Sequence, residues 1–156
     1  MYATEKHLVF QVKDQFFTVN VINVSSIIQM PKVYKVPQAP NYIIGMINVE
    51  GDVIPVIDSG KKLMMGGILV EERSQALILQ RFDEENDKYH KLGFLVTDIK
   101  DVVDVTPSKI RALPISKYHF DERLVEGMHK INEEFCMQIS IDNFYKDEIE
   151  DLIDKE

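Results

Sequence analysis

Leu8, Phe10 and Val12 alternate with polar neighbours through residues 7–13, HLVFQVK, and Phe17, Val19 and Val21 repeat that period through FFTVNV. Side chains of a strand point alternately to its two faces, so each stretch predicts a half-buried strand, and the Asp14-Gln15 turn between them predicts a hairpin. In NVSSIIQM, Asn23 is a candidate cap for one helical turn before Ile27, Ile28 and Met30 become extended and Pro31 ends the run. The stretch VPQAPNYIIGMINVEGDVIPVID follows, entered through a rigid bend at Pro37 and Pro40. Its second part predicts two strands joined at Glu50-Gly51-Asp52, where Gly51 supplies the positive φ of a tight hairpin. Val53, Ile54, Val56 and Ile57 lack clean alternation, as in a strand covered on both faces, while Pro55 requires an edge or a bulge.

Beyond the glycine-rich connection SGKKLMMGG, the runs ALILQRF and KLGFLVT predict strands around the polar tip DEENDKYH. DIKDVVDVTP reads as short strand with polar edges, PSKIRALP as loop and short strand, and ISKYHFDERLVEG as an irregular crossing that closes at Gly127. MHKIN and FCMQIS form a second hairpin pattern with its turn near Asn132-Glu133-Glu134. Only the last element changes period: Ile141, Phe144, Tyr145, Ile149, Leu152 and Ile153 fall on one face of an amphipathic helix, acids outward. Many short strands and one helix predict an all-β fold. The break near residues 59–70 separates about five strands from about five. We therefore expect two small barrels in one body, about 6–62 and 70–140, with the helix over 141–155 packed across a barrel end or the seam. No sequence repeat marks the halves as duplicates.

A chain of 156 residues is long enough for one domain or two tightly joined subdomains. No apolar run approaches the roughly 20 residues of a membrane-spanning helix, and MYATEKHLVF lacks the apolar core of a secretory signal, so a cytoplasmic location is expected. A net charge of −8 opposes binding to a phosphate backbone and excludes nucleic acid as a partner. The charge is concentrated at the end, where residues 142–156 hold seven acids against two lysines. An acidic helix of this kind also lacks the Lys and Arg of a membrane-surface helix. The single cysteine, Cys136, rules out an internal disulfide and reads as a small buried side chain.

Candidate chemistry is thin. His7, His90, His119 and His129 are scattered without metal-ligand spacing, and no phosphate loop, nucleophile elbow or HExxH motif is present. Asp83, Glu84, Glu85 and Asp87 lack the spacing and glycine of a calcium loop and read as a solvated turn. Asp98, Asp101 and Asp104 recur every three residues, and Asp98 and Asp101 are the one pair on which a small-ligand or metal-dependent module could be built. Polar strand edges fit them better. Met64-Met65 reads as filler beneath a loop. No catalytic residue, cofactor or metal site is assigned, and a protein that holds partners together is the expectation.

The order Pro37, Pro40, a turn at Tyr42-Ile43-Ile44, Gly45, Asn48, Gly51, Pro55 and Asp58 resembles the central signature of the CheW family, the coupling proteins of bacterial chemotaxis. GFLVTDIKDVV is similar to that family's second signature, Gly127 to the glycine before its last hairpin, and residue 141 onward to its closing helix. The resemblance implies two five-stranded SH3-like barrels, no catalysis, and a cytoplasmic adaptor recruited to membrane-associated receptor arrays. It also implies the partners: the cytoplasmic tip of a methyl-accepting chemoreceptor and the regulatory domain of a CheA-type histidine kinase. On that basis Pro37, Pro40, Gly45, Gly51, Pro55 and Asp58 are expected to shape the backbone. An apolar receptor groove between the barrels is expected from Ile27, Ile28, Val49, Val96, Ile99 and Val102, and an exposed kinase contact from Ile54.

Three departures stand out. The family's N-L-R-G is here Asn48-Val49-Glu50-Gly51, its V-x-E-I is Val24-Ser25-Ser26-Ile27, and its D-L-R is Asp58-Ser59-Gly60. Glu50 reverses a charge at the hairpin tip and Ser26 removes one. Both are expected to affect partner choice and not fold, leaving open an adaptor of a non-motility pathway or one that caps arrays.

Overall fold

The computed structural model describes residues 3–71, 73–113 and 122–146. The first hairpin joins β1 (Glu5–Val12) to β2 (Gln15–Asn20), with Lys13 at a φ of 58° in the turn. A 3-10 turn, Val21–Asn23, is capped by the Asn20 side chain, which accepts from Ile22 N–H, and not by Asn23. β3 (Val24–Gln29) then starts at once. Of the residues read as a turn at Tyr42-Ile43-Ile44, Tyr42 does lie in a turn, whereas Ile43 and Ile44 open β4 (Ile43–Val49), because they find apolar cover on the two faces of the strand.

β4 returns as β5 (Asp52–Asp58) through a two-residue turn in which both Glu50 and Gly51 have positive φ, 52° and 91°. That is the hairpin geometry expected there, and the Asn48 side chain steadies it by accepting from Gly51 N–H at 2.9 Å. A four-residue helix, α1 (Ser59–Lys62), leads to β6 (Gln75–Asp83), β7 (Lys88–Val96), β8 (Asp98–Val105), β9 (Val125–Ile131) and β10 (Glu134–Ile139). Residues 141–146 are helical, here α2, and the expected continuation to 155 lies outside the described residues, as does His119.

Two five-stranded sheets result, with orders β8-β1-β2-β10-β9 and β3-β6-β7-β5-β4. The orders match position for position. In each, a hairpin (β1-β2 or β6-β7) lies between an antiparallel edge strand (β8 or β3) and a parallel neighbour (β10 or β5), which leads to the last strand (β9 or β4). The two units are therefore alike, yet they do not follow the sequential halves 6–62 and 70–140. Each barrel combines strands from both sides of the 59–70 connection: β1 and β2 pair with β8 to β10, while β3 to β5 pair with β6 and β7. The halves have exchanged partners, so neither barrel is complete without the other half of the chain.

Residue parity sorts the interior into three layers. Leu8, Phe10, Val12 and Phe17 of one sheet meet Ile57, Leu77, Leu79 and Phe94 of the other in the central seam, with Phe144 of α2 set edge-on to Phe94 at 4.9 Å between ring centroids. Ile47, Ile54, Val56, Ala76, Ile78 and Leu95 fill the second barrel. The opposite face of β1 and β2 carries His7, Val9 and Thr18, and the matching positions of β9, β10 and β8 bring His129, Cys136 and Val105 to the same side. The first barrel thus has a partly polar interior. Burial of Val56 and Ile57 on opposite faces accounts for the missing alternation in β5.

Two glycines permit close approaches at equivalent places. A Cβ on Gly45 would sit 2.5 Å from the Tyr34 carbonyl oxygen, and one on Gly127 would sit 2.7 Å from that of Arg111. These contacts adjoin the isolated bridges Tyr34↔Met46 and Arg111↔Met128, which tie a connecting segment to the outer strand of each sheet.

Candidate partner-binding surfaces

Asp58 organises the connection between the halves. It is buried, its Oδ1 accepts from Lys61 N–H at 3.1 Å to cap α1, and its Oδ2 accepts from Ile68 N–H at 2.9 Å. Ser59 Oγ donates to the Leu95 carbonyl at 2.6 Å. Lys62 is 8% exposed, its ammonium 4.0 Å from the centre of the Tyr42 ring, where burial strengthens a cation–π contact. The Asp58-Ser59-Gly60 sequence therefore builds a buried corner, and its position in the signature follows from three backbone contacts made by two side chains.

The six residues expected to line a receptor groove differ in exposure. Ile27 on β3 and Val102 on β8 are exposed, at 40% and 54%, and these are the corresponding edge strands of the two sheets. Ile28 and Val49 are half-buried against the second barrel's interior, and Ile99 against the central seam. Val96 is 3% exposed and belongs to the seam itself. Ser26 is half-buried in β3 opposite Ile78, and Glu50 is exposed at the β4–β5 tip. Pro37 and Gly51 are exposed, and Pro40 and Pro55 half-buried.

Ile54 requires a correction. It is not an exposed loop residue: it is 5% exposed and points into the second barrel. The strand starts directly after the two-residue turn, so parity sends Ile54 and Val56 inward and turns Val53, at 63% exposure, outward.

β5 and β7 pair in parallel over only three residues, Val56↔Gly93 to Asp58↔Leu95. Below them the strands part, which gives Pro55 the free side it needs. A cleft of about 460 Å³ opens there, lined by Met46, Val53, Pro55, Lys88, Tyr89 and Tyr145 among others. Sequence reasoning did not find this cleft, because nothing local shows where a parallel pair ends.

The carboxylates do not converge. Asp98 accepts from Lys100 Nζ and from Ile99 N–H, and the lysine bond, assisted by that N–H, holds its carboxyl below the usual range. Asp104 pairs with Lys6 at 2.7 Å and Asp101 is exposed. Among the described residues, no group of three or more His, Cys, Asp or Glu side chains is placed to hold a metal. At the β6–β7 tip, Asp83 accepts from Asn86 Nδ2 at 2.7 Å and bonds the His90 ring at 2.9 Å, which lowers its pKa and forms a closed turn. Burial, with the Glu134 carboxylate nearby, pushes the Cys136 thiol up to about 11, the opposite of an activated nucleophile. His129 Nε2 lies 2.9 Å from Thr18 Oγ1, and its pKa is lowered by burial and by the neighbouring His7. No described helix is long and apolar enough to cross a membrane.

Comparison with known proteins gives these surfaces a context. Residues 6–148 match the family model described as a CheW-like domain. The chain is 33% identical to the chemotaxis protein CheW of Bacillus subtilis over 110 residues, 70% of this chain and 67% of that protein. It is 26% identical to the chemotaxis protein CheW of Rhizobium meliloti over 141 residues, 90% of this chain and 87% of its relative. The fold also matches the crystal structure of scaffolding protein TtCheW from Thermoanaerobacter tengcongensis, with a TM-score of 0.76, 23% identity, and coverage of 90% and 87% of the two chains.

Proposed function

The chain belongs to the family of CheW-like domains, and from that premise we propose that it is a non-catalytic chemotaxis adaptor joining a chemoreceptor's cytoplasmic tip to the regulatory domain of a CheA-type histidine kinase. The observation that carries this reading is the family match, which spans strands of both barrels. The described carboxylates and histidines support it: they are spent on turns, strand edges and a barrel interior, and what remains outside is surface.

An adaptor must present two surfaces in a fixed relation. Exchange of strands between the halves serves that need, since the seam formed by Phe10, Phe17, Leu77 and Phe94 locks the barrels as one body. For the receptor helix we assign the exposed apolar groups Ile27 and Val102, with Ile28, Val49 and Ile99 supporting them and Val96 in the core beneath. For the kinase, Val53 offers the outward apolar group that Ile54 does not. Recruitment to receptor arrays follows from the receptor contact.

Glu50 favours one variation. It is exposed at the hairpin tip where the resembling signature carries arginine, so a partner surface built for a cation meets a carboxylate. Altered partner choice, as in a non-motility or array-capping pathway, follows from that reversal. Pull-down of the full chain with a receptor signalling tip and with the kinase regulatory domain tests the proposal. Binding of both supports the adaptor, and binding of one supports the capping variant. Binding of neither, with tight metal or metabolite binding at Asp98 and Asp101, refutes both.

A further inference from the structure

The connection after α1 is tied down at its start and open beyond it. Ile68 N–H is held by Asp58 Oδ2 at 2.9 Å, and the Gly67 carbonyl accepts from Lys13 Nζ at 2.8 Å. Past that point neither Leu69 nor Val70 makes a backbone hydrogen bond to another described residue. Their side chains are 76% and 49% exposed. Exposed apolar groups that cluster mark interaction sites, whereas ones scattered singly do not.

A cleft of about 440 Å³ separates residues 67–70 from the bend at 35–41. Ile43, Ile44 and Ile68 are half-buried along it, and exposed Val36 and Val70 stand at its rim. Lys35 and Lys61 also line it, both exposed and neither paired with a described carboxylate. Asp58, the one carboxylate among the described lining residues, is buried with an N–H on each oxygen. In a chain whose net charge is −8, the rim of this cleft is therefore cationic. Its walls are also fixed in advance: Asp58 pins one through Ile68, and the locked φ of Pro40 stiffens the other.

The cleft is separate from the surfaces assigned above. Val53 stands at the opposite end of β5, about 17 Å from Asp58 at the rise of a strand. Ile27 lies on β3, with β6 and β7 between it and β5.

We infer that this cleft is a third docking surface, taken by an acidic segment of another protein that sets an apolar side chain between Val36 and Val70 and carboxylates beside Lys35 and Lys61. Charge complementarity selects the acidic partner. A peptide segment fits better than an anionic bilayer, because the site is concave and the chain as a whole is repelled by a negative surface. The inference stands independently of binding to receptor or kinase, and it adds a point of attachment that leaves both of those surfaces free.

Selection from a library of random short peptides on the immobilised full chain tests this. It should enrich peptides in which Asp or Glu flank Leu, Ile or Phe, and the synthetic consensus peptide should shift the amide NMR signals of Val36, Ile68 and Val70. Lys35→Glu combined with Lys61→Glu should weaken that peptide about tenfold in calorimetry at an unchanged urea midpoint, and Val70→Asp should do the same. Ile27→Asp and Val53→Asp should leave the affinity as it is. No enrichment, enrichment without acids, shifts centred on Ile27, Val102 or Val53, or full affinity in the charge-reversed variant would overturn the inference. Val36 and Val70 shifts that grow with the concentration of the chain alone would overturn it in favour of a second copy. Capture on phosphatidylglycerol vesicles with no peptide selected would overturn it in favour of a membrane.

Discussion

Replacing Asp58 by alanine removes two acceptors at once, and the cost can be worked from its contacts. Loss of the cap on Lys61 N–H is worth about 1 kcal/mol. Stranding the part-buried Ile68 N–H adds about 1–3 kcal/mol, because no water replaces the lost acceptor at full strength. Asp58→Ala should therefore destabilise by about 2–4 kcal/mol, whereas Asp58→Asn, which keeps one of two acceptor oxygens, should lose about half of that. With a slope of about 2 kcal/mol per molar urea, the alanine variant's unfolding midpoint drops by about 1–2 M at unchanged slope. Amide exchange should quicken first at Ile68. An alanine midpoint within about 0.3 M of the parent, or an asparagine variant as damaged as alanine, would refute the view that this corner is held by the carboxylate.

Three other outcomes follow from the same geometry. Gly45→Ala and Gly127→Ala each drive a Cβ into a backbone carbonyl beside a bridge, so each should cost about 1–3 kcal/mol by chemical denaturation and release the 31–42 or 110–113 segment in hydrogen exchange. His129 has a lowered pKa in the fold, so its neutral form is favoured there; its contribution is complete above 6.5 and is lost as the pH falls below that value. Urea midpoints should accordingly drop between pH 7.5 and 5.5, and His129→Gln should flatten that drop. Glu50→Arg should strengthen binding to a typical chemoreceptor tip in titration calorimetry, and unchanged or weaker binding would count against the account of partner choice.

Much of this fold can be read from local pattern, because strands and tight turns are local. The alternation of Leu8, Phe10 and Val12, and the Glu50-Gly51 turn, each identify a hairpin without reference to the rest of the chain. Pairing between distant strands leaves no such mark. His7 lies against Val103 because β8 pairs with β1 at the edge of the first sheet, and nothing near either residue distinguishes that pairing from one within the same half. The exchange of halves was hidden for that reason. Ile54 was misplaced because one residue of register decides between inside and outside, and only the length of the turn fixes it. Val96 shows the same limit from the other side: its apolar character fits a groove or a core, and only the seam decides. The buried histidines of the first barrel were invisible as a pair, since His7 and His129 come together through β2 and β10, which lie between them.

The most direct measurement is sedimentation of the full chain mixed with a receptor signalling tip and the kinase regulatory domain, singly and together. An adaptor predicts a boundary heavier than either pair when all three are present, and loss of the receptor-dependent part on Ile27→Asp with Val102→Asp. Sedimentation of the chain alone in every mixture would contradict the account.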